Sequence, residues 1–384
     1  MNKISKLFGV LALSAIALTG CSGDDDNNNG SSSSFVLDPT NFQGNINDGT
    51  ITLSAGTVYE LSGPLTIKDG ATLSIPAGTR IEATGGTSAY IAVAQGGKIL
   101  INGTASNPVV MTSGLSTPAA GNWGGLVICG RAPINRGATA SAEVSELAYG
   151  GNMANDNSGS IRYLRIEYCG AAFNSEKEFN GISFFGVGNG TVVENVQVFH
   201  GADDGFEFFG GTVNTSNLVA IGNEDDEFDW TEGWNGTNTN WYGKKGFGIG
   251  NRGIEADNLE ANFDASPTSN PTINNLTLIG GITGSAEPDA IKFRRGTKAM
   301  MNNVVLSNFT DGFDVENDQT ISFVGTALKA TNVKFESITN TSKGKDTAGA
   351  TVDVSGVFTE STTATGAGNG TGTPSWATGW TTGF

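Results

Sequence analysis

Asp204-Gly-Phe-Glu-Phe208 is the stretch that decides the fold, because close copies of it recur along the chain. Each copy is a corner residue followed by a short strand in which side chains point alternately to opposite faces. Two intervals between copies, from 204 to 226 and from 289 to 311, are both 22 residues. The other copies are Asn180-Gly-Ile-Ser-Phe184, Asp226-Glu-Phe-Asp-Trp230, Asp289-Ala-Ile-Lys-Phe293, Asp311-Gly-Phe-Asp-Val315 and the weaker Arg252-Gly-Ile-Glu-Ala256.

A second strand with a leading asparagine precedes most of these copies. Asparagine suits a corner that needs local side-chain hydrogen bonds or a positive φ. One such unit cannot bury its own apolar side chains, so a period in the low twenties predicts coils stacked on one another. The second strands are Asn195-Val-Gln-Val198, Asn217-Leu-Val-Ala220, Asn275-Leu-Thr-Leu278, Asn303-Val-Val-Leu306 and Asn332-Val-Lys-Phe335.

We therefore predict an all-β fold with little helix, a single-stranded right-handed parallel β-helix over residues 35–384. A β-sandwich and a β-propeller are the alternatives, but a sandwich needs longer strands and a propeller blade spans about 40 residues. Stacking the repeats predicts one interior column, made of Ile182, Phe206, Phe228, Ile254, Ile291 and Phe313.

Residues 1–34 predict an exported lipoprotein. Lys3 and Lys6 precede an apolar run, Leu7 to Leu18, that is shorter than the ~20 residues needed to span a bilayer, so residues 1–20 have the pattern of a signal peptide. Leu18-Thr-Gly-Cys21 resembles a lipobox, which implies cleavage before Cys21 and acylation of its thiol by fatty acids such as palmitate. An ordinary secretory signal with a chance cysteine is the alternative.

Residues 21–34 have no apolar side chain to bury and predict a disordered acidic and serine-rich tether. The triplet Asp24-Asp-Asp26 resembles the export signal of Bacteroidetes lipoproteins, which implies the cell-surface side of the outer membrane. The alternative is a plain spacer in the periplasm.

The charge balance excludes nucleic acid as a partner and favours divalent cations. The chain carries a formal charge of −17, which becomes −19 when residues 1–20 and their two lysines are removed. Such a surface repels phosphate backbones. Cys129 and Cys169 lie in apolar, strand-like stretches; they could pair in an oxidising compartment, but burial as small hydrophobic residues is favoured.

Several motifs occur in order between about residues 60 and 310: Asn122-Trp-Gly-Gly-Leu126, Ile161-Arg-Tyr-Leu-Arg-Ile-Glu167, Asp203-Asp-Gly-Phe-Glu-Phe-Phe-Gly-Gly211, Asp225-Asp-Glu-Phe-Asp229 and Gly253-Ile-Glu-Ala-Asp-Asn258. Together they resemble a family of secreted or lipid-anchored β-helix proteins common in Bacteroidetes. The resemblance implies the fold of the pectin-lyase-like superfamily. The family has no established activity, so the resemblance leaves the function open.

The repeats also predict an outward column of charged side chains. If Phe206 and Phe208 point inward, alternation turns Glu207 outward. Carboxylates about 4.8 Å apart on successive coils repel one another unless a cation or a proton intervenes, and their oxygens suit Ca²⁺. A solvated acidic face is the alternative. The predicted column is Ser183, Glu207, Asp229, Glu255, Lys292 and Asp314, and we expect calcium at Glu207, Asp229 and Glu255 with Asp203 and Asp225 at the adjoining corner.

Two kinds of catalysis are compatible with this face. Some β-helix polysaccharide lyases combine calcium with a nearby lysine or arginine, which makes Lys292 and Arg294 candidates for a lyase acting on uronate polymers. Glu207 and Asp229 are instead candidates for glycoside hydrolysis by a carboxyl pair. The corner residues Asp204, Asp226, Asp289 and Asp311 are expected to be structural, and His200 to lie at the surface.

Residues 231–250 are rich in Gly, Asn and Trp and predict an inserted loop between repeats. Trp234, Trp241 and Tyr242 are expected either to stack on sugar rings or to cover the side of the helix. The leading hypothesis is a cell-surface lipoprotein that binds a glycan or another extracellular ligand through a calcium-loaded acidic face. The alternatives are a calcium-dependent polysaccharide lyase and a structural adhesion protein.

Overall fold

Short strands in the computed structural model follow one another around a common axis and pair in parallel with the strands of the next coil. The structure describes residues 34–246, 250–281 and 288–384, all within one compact unit. The predicted signal peptide, Cys21 and the tether up to residue 33 lie outside these residues.

The bounds of the elements follow the chain. The strands are β1 (Gly44–Ile46), β2 (Thr50–Thr52), β3 (Val58–Leu61), β4 (Leu65–Ile67), β5 (Thr72–Pro76), β6 (Arg80–Ala83), β7 (Ile91–Val93), β8 (Lys98–Asn102), β9 (Val109–Ser113), β10 (Leu126–Cys129), β11 (Ala140–Ser141), β12 (Ala148–Tyr149), β13 (Gly159–Glu167), β14 (Ile182–Val187), β15 (Val192–Phe199), β16 (Phe206–Gly211), β17 (Asn214–Ile221), β18 (Phe228–Thr231), β19 (Thr237–Lys244), β20 (Ile254–Ala256), β21 (Thr272–Ile279), β22 (Asp289–Phe293), β23 (Ala299–Ser307), β24 (Asp311–Glu316), β25 (Leu328–Glu336), β26 (Asn340–Lys345) and β27 (Phe358–Glu360). The one α-helix of the described residues is the four-residue α1 (Asp318–Ile321).

Two long parallel sheets form the sides of the solenoid. Sheet A runs β1-β4-β7-β10-β14-β16-β18-β20-β22-β24-β26, and sheet B runs β2-β5-β8-β13-β15-β17-β19-β21-β23-β25-β27. Strands β3, β6 and β9 add a third side at the N-terminal end. This arrangement confirms the predicted right-handed parallel β-helix. Among the described residues, no helix has the length and apolar character needed to cross a bilayer.

The interior column has the predicted register. Phe206 pairs with Ile182 on one side and Phe228 on the other, and the series continues through Ile254 and Ile291 to Phe313. All six side chains are fully buried. Burial of each contributes about 1.5–3 kcal/mol, so the column is a large part of what stabilises the coil stack.

A ladder of asparagines bends the strands of sheet B. Asn217, Asn240, Asn275 and Asn303 each donate a side-chain hydrogen bond of 2.8–3.0 Å to the asparagine one coil earlier, beginning at Asn195. All five have φ between 57° and 63°, a left-handed conformation that asparagine tolerates well. These asparagines lie inside the strands and not at the strand starts, where the repeat had placed them. Asn240 also belongs to the ladder, although the sequence repeat did not reveal it.

The prediction that residues 231–250 form an inserted loop is wrong for the longest part of this range. Residues Thr237–Lys244 form β19, which pairs with β17 and β21 like any other rung of sheet B. Residues 247–249 of the predicted loop lie outside the described residues. The repeat was hidden because this coil carries Trp, Tyr and Gly at positions where its neighbours carry Leu, Val and Ala.

The prediction that Trp234, Trp241 and Tyr242 stack on sugar rings is also wrong. Trp234 and Trp241 are 0% exposed and lie in the core, where Trp234 stacks on Phe208 at a centroid distance of 4.0 Å. Tyr242 is 2% exposed because the C-terminal segment covers it. Burial of the two indoles stabilises the folded state, because it removes a large apolar surface from water.

Two additions cover the outer faces of the sheets. Residues 130–158, which we call the hairpin insertion, pack an apolar cluster that includes Ile134 and Tyr149 onto Phe185 and Phe209 of sheet A. Residues 361–384, which we call the C-terminal strap, pack Trp380 against sheet B. Cys129 and Cys169 are both free and fully buried, which confirms the favoured interpretation.

Candidate functional site

The outward column of sheet A has the predicted register. Glu207 pairs with Ser183 and Asp229, Asp229 with Glu255, and the series continues through Lys292 to Asp314. Alternation along β16 and β18 explains this, because the flanking Phe and Trp side chains fill the interior. The column therefore forms a continuous charged stripe along one face of the solenoid.

A cleft of about 410 Å³ lies over the middle of this stripe. Its floor carries Glu207, Asp229 and Glu255, so three of the five predicted calcium ligands line one depression. Arg136 of the hairpin insertion and residues of the segment after β20 also line it. The remaining lining residues are Thr231, Glu232, Asp257, Leu259, Glu260, Ala261, Arg294 and Arg295.

The carboxylates in and beside the cleft form three overlapping groups. In each group, one oxygen from every member lies within 4.8 Å of the others. Asp204 and Asp229 are shared between groups, so the predicted ligands and the corner residues belong to one continuous network. The groups are Asp203, Asp204 and Asp225; Asp204, Glu207 and Asp229; and Asp226, Asp229 and Glu255.

Corner aspartates also join one coil to the next. The main-chain N–H of Asp226 donates to Asp204 Oδ1 over 2.9 Å, and the N–H of Arg252 donates to Asp226 Oδ1. Asp204 and Asp226 thus have the structural role expected of them. Each of them also offers a carboxylate oxygen to an acidic group, so the structural and ligand-binding interpretations are compatible.

Burial makes ionisation of this network costly. Burial raises the pKa of Asp204, Glu207 and Asp229 well above the usual range, and neighbouring carboxylates raise it further. Burial, followed by the charge of Asp225, raises the pKa of Asp203 to about 8. Protonation or a bound cation would remove this cost.

Basic side chains neutralise the downstream part of the stripe. Glu255 contacts both Arg252 and Arg294. Lys343 Nζ lies 2.7 Å from oxygens of both Asp289 and Asp311, and Lys292 pairs with Asp314 at 3.3 Å. Each acidic position from Glu255 onward thus has an ammonium or guanidinium group of the chain beside it.

The upstream part of the stripe has no such partner in the described part of the chain. We call Asp203, Asp204, Glu207, Asp225 and Asp229 the acidic cluster. Across the described ranges, no Lys, Arg or His nitrogen lies within 4.0 Å of their carboxylate oxygens. By contrast, the carboxylates from Asp226 to Glu316, leaving out Glu227 and Glu232, make twelve such pairs. Within the described ranges, no basic side chain lies close enough to balance the charge of the acidic cluster.

Asn180 adds a neutral oxygen to the acidic cluster. Its side chain is 2% exposed, and its Nδ2 donates to Glu207 Oε2 over 2.6 Å and to Ser183 Oγ over 3.2 Å. Its Oδ1 is buried without a hydrogen-bond partner among the described residues, which is costly for an amide oxygen. A hard cation that takes carboxylate and amide oxygens fits this donor set.

The two basic catalytic candidates differ in position. Lys292 pairs with Asp314 and, at 3.0 Å, with Glu316, and it is not among the residues that line the cleft. Arg294 does line the cleft, where it contacts Glu255 and Asp257. Burial lowers the pKa of Arg294, but Asp257 and Glu255 raise it by more, so its guanidinium stays charged and cannot accept a proton.

Sequence reasoning missed Glu232, Tyr149 and Arg136. Tyr149 donates its hydroxyl to Glu232 Oε2 over 2.6 Å, and Arg136 Nη1 lies 3.0 Å from Oε1, so the buried Glu232 holds Arg136 at the mouth of the cleft. Two of these residues come from the hairpin insertion, which has no counterpart in the repeat. His200 does not line the cleft; it is half-buried and stacks on Tyr168.

The chain matches one protein-family model, described as a pectate-lyase like beta helix domain, over residues 44–381. No curated protein and no solved structure matches the chain. The matched range includes every coil described above, the hairpin insertion and most of the C-terminal strap. The chain therefore belongs to the pectate-lyase-like β-helix domain family.

Proposed function

We propose that the protein binds a glycan in the cleft through a calcium ion held by the acidic cluster. One observation carries the proposal: among the described residues, the acidic cluster has none of the basic partners that neutralise the downstream acids of the same stripe. Asp204, Glu207 and Asp229 would hold the ion, with Asn180 Oδ1 as a neutral ligand. Calcium bound there would supply positive charge and open positions for hydroxyl or carboxylate oxygens of a ligand.

The walls of the cleft support a sugar ligand that carries negative charge. Arg136 and Arg295 both line the cleft, and their side chains are 57% and 25% exposed. The family ties the fold to a carbohydrate-related role. No exposed aromatic platform from Trp234, Trp241 or Tyr242 contributes, so recognition rests on the cation, hydrogen bonds and guanidinium groups.

The proposal includes the cell surface as the place of action. Cys21 would be the lipidated residue that anchors the protein in the outer membrane, and residues 22–34 would be the tether. Both rest on the sequence pattern alone. We expect a Cys21→Ser variant to appear in the soluble fraction and to incorporate no radiolabelled palmitate. Unchanged membrane association of this variant would contradict the anchor.

Calcium titration by calorimetry tests the site directly. We expect saturable binding to the wild-type protein and loss of binding in the double variant Glu207→Gln, Asp229→Asn. Glu60→Gln is the matched control, because Glu60 is an exposed acid on β3 at the other end of the solenoid. Equal calcium binding by the double variant and the control would exclude the site.

Glycan binding needs its own measurement. We expect acidic polysaccharides such as alginate and pectate to retain the calcium-loaded protein in affinity electrophoresis, and a chelator to abolish the retention. Retention that is unaffected by the chelator would place the ligand elsewhere on the protein.

A hydrolytic activity is a second candidate, favoured by the raised pKa of Glu207 beside Asp229. A protonated carboxyl next to a second one is the arrangement used to protonate a glycosidic oxygen. Lyase chemistry is less favoured, because Lys292 is held by two acids outside the cleft. We expect the protein to release new reducing ends from a polysaccharide without forming an unsaturated product, and we expect Glu207→Gln to lose this activity. Absorbance of an unsaturated product would favour the lyase.

A further inference from the structure

A buried charged group lies just behind the corner that carries Asp225. Lys245, immediately after β19, is 5% exposed, and Glu227 and Asn223, on either side of that corner, are 0% exposed. A lysine and a glutamate seldom enter a protein interior, because removing their charges from water is costly. The calcium-binding proposal makes no use of Lys245, Glu227 or Asn223.

The carboxyl group of Glu227 bridges the amine and the amide. Asn223 Nδ2 donates to Glu227 Oε2 over 2.5 Å, and Lys245 Nζ lies 3.7 Å from Glu227 Oε1. Lys245 Nζ also donates to the main-chain carbonyl of Asn223 over 3.1 Å. Lys245 Nζ therefore contacts the main chain of Asn223, and Glu227 contacts both Lys245 and the side-chain amide of Asn223.

The carbonyl of that amide is polarised. The main-chain N–H of Gly201 donates to Asn223 Oδ1 over 2.9 Å. A fixed N–H at this position stabilises the negative charge that develops on an amide oxygen when a nucleophile attacks its carbon. The space is closed around it, since a Cβ added to Gly205 would lie 2.7 Å from Asn223 Nδ2.

We propose that Lys245 and Asn223 join in an intramolecular isopeptide bond, with Glu227 as the catalytic residue. Lys245 Nζ lies 3.7 Å from Glu227 Oε1 in a buried site, so the carboxylate is placed to take a proton from the ammonium. The transfer leaves a neutral, nucleophilic amine.

The reaction balances without an added reagent. The Nζ lone pair attacks Asn223 Cγ, and the new C–N bond forms as the carbonyl becomes an oxyanion held by the Gly201 N–H. Glu227 gives its proton to the departing amide nitrogen, and the Cγ–Nδ2 bond breaks to release ammonia. Glu227 recovers a proton from Nζ. The products are one secondary amide and one molecule of ammonia.

The bond would tie the coil of β17 to the coil of β19 across the acidic corner. Lys245 Nζ also donates to the main-chain carbonyl of Asp225, and the amide nitrogen keeps one hydrogen for this contact. Cross-linking a loop restricts the unfolded chain, which stabilises the folded coil. It also holds Asp225 and Asp226 in place beside the cleft.

Mass spectrometry of the full chain decides the proposal. Trypsin cleaves after Lys177, Lys244 and Arg252, and a cross-linked Lys245 resists cleavage. We expect the peptide of residues 178–244 joined to that of residues 245–252, at their summed mass less one ammonia. Finding the two regions unlinked in fully denatured wild-type protein would overturn the proposal.

Variants separate the roles of the three residues. Glu227→Gln keeps the shape of the side chain but removes the acid, and we expect no linked peptide. Lys245→Arg cannot form the bond, whereas Lys244→Arg, one residue earlier, keeps the cleavage site and the link. A linked peptide in Glu227→Gln would overturn the catalytic role of Glu227. The wild-type result stands by itself if a variant fails to fold.

Discussion

Glu207 and Asp229 lie directly opposite each other on β16 and β18, and their carboxyl oxygens belong to one group within 4.8 Å. Neither has a basic partner within 4.0 Å among the described residues, although the next residue of the column, Glu255, has two. Between the adjacent strands β18 and β20, the column thus changes from acids without a basic partner to acids with one. The cleft lies over this change, because Glu207, Asp229 and Glu255 all line it.

Without calcium, the protein should lose stability as the pH rises. Burial raises the pKa of Asp203 from 3.8 to about 8 and that of Asp226 to about 7, so the folded state binds more protons than the unfolded state between these limits. The free energy of unfolding then falls with rising pH. In a chelator, we expect a higher melting temperature at about pH 5 than at about pH 9.

Calcium should remove most of that dependence, because a bound cation replaces the protons. Thermal melts with and without calcium across this pH range provide the measurement, and Glu207→Gln with Asp229→Asn should flatten the chelator curve. A melting temperature that rises with pH in the chelator would contradict the protonation of the acidic cluster.

Removing an internal cation should create a new calcium response. Lys343→Met leaves the buried Asp289 and Asp311 without their ammonium partner, which should cost about 1–3 kcal/mol, less than for a fully buried pair because Lys343 is partly exposed. We expect calcium to restore part of the lost melting temperature. Lys334→Met, which removes the partner of Glu336 on sheet B, should show no calcium-dependent recovery.

The asparagine ladder should be sensitive to both its side chain and its backbone. Asn240→Ala loses two ladder hydrogen bonds and places alanine, which cannot form local side-chain hydrogen bonds, at a φ of 61°. The substitution should lower the free energy of unfolding by about 2–4 kcal/mol. Asn240→Gly keeps the backbone conformation and should cost less. Denaturant melts compare the two; equal losses would mean that the side-chain bonds alone matter.

The C-terminal strap should stabilise several coils at once. Thr382 and Gln197 exchange two hydrogen bonds of 2.7 and 2.9 Å, while Thr277 binds Ala367 and Gly370 farther along the stack. Trp380→Ala removes a fully buried indole and should cost about 3–5 kcal/mol. Phe384→Ala, at a side chain that is 39% exposed, is the milder control. Similar losses for both would mean that Trp380 is not an anchor.

The sequence by itself determined the β-helix, the interior column and the outward column from Ser183 to Asp314. These features follow from local rules: side chains alternate along a strand, and a corner residue repeats once per coil. Once Asp204 and Asp226 are aligned, each residue from Phe206 to Phe209 has a fixed neighbour on the next coil. The acidic column therefore needed no knowledge of distant contacts.

Only the tertiary structure decided which acids have partners. Lys343 reaches back over two coils to Asp289, and Arg136 enters the cleft from an insertion that breaks the repeat. Trp234 and Trp241 look like loop residues in the sequence, yet they fill a coil interior that is wide enough for indoles. Lys245 meets Asn223 and Glu227 because the ends of β17 and β19 lie side by side, where Ile221 pairs with Lys244. Contacts of this kind depend on side-chain length and the path of the loops, which the periodicity of the strands does not encode.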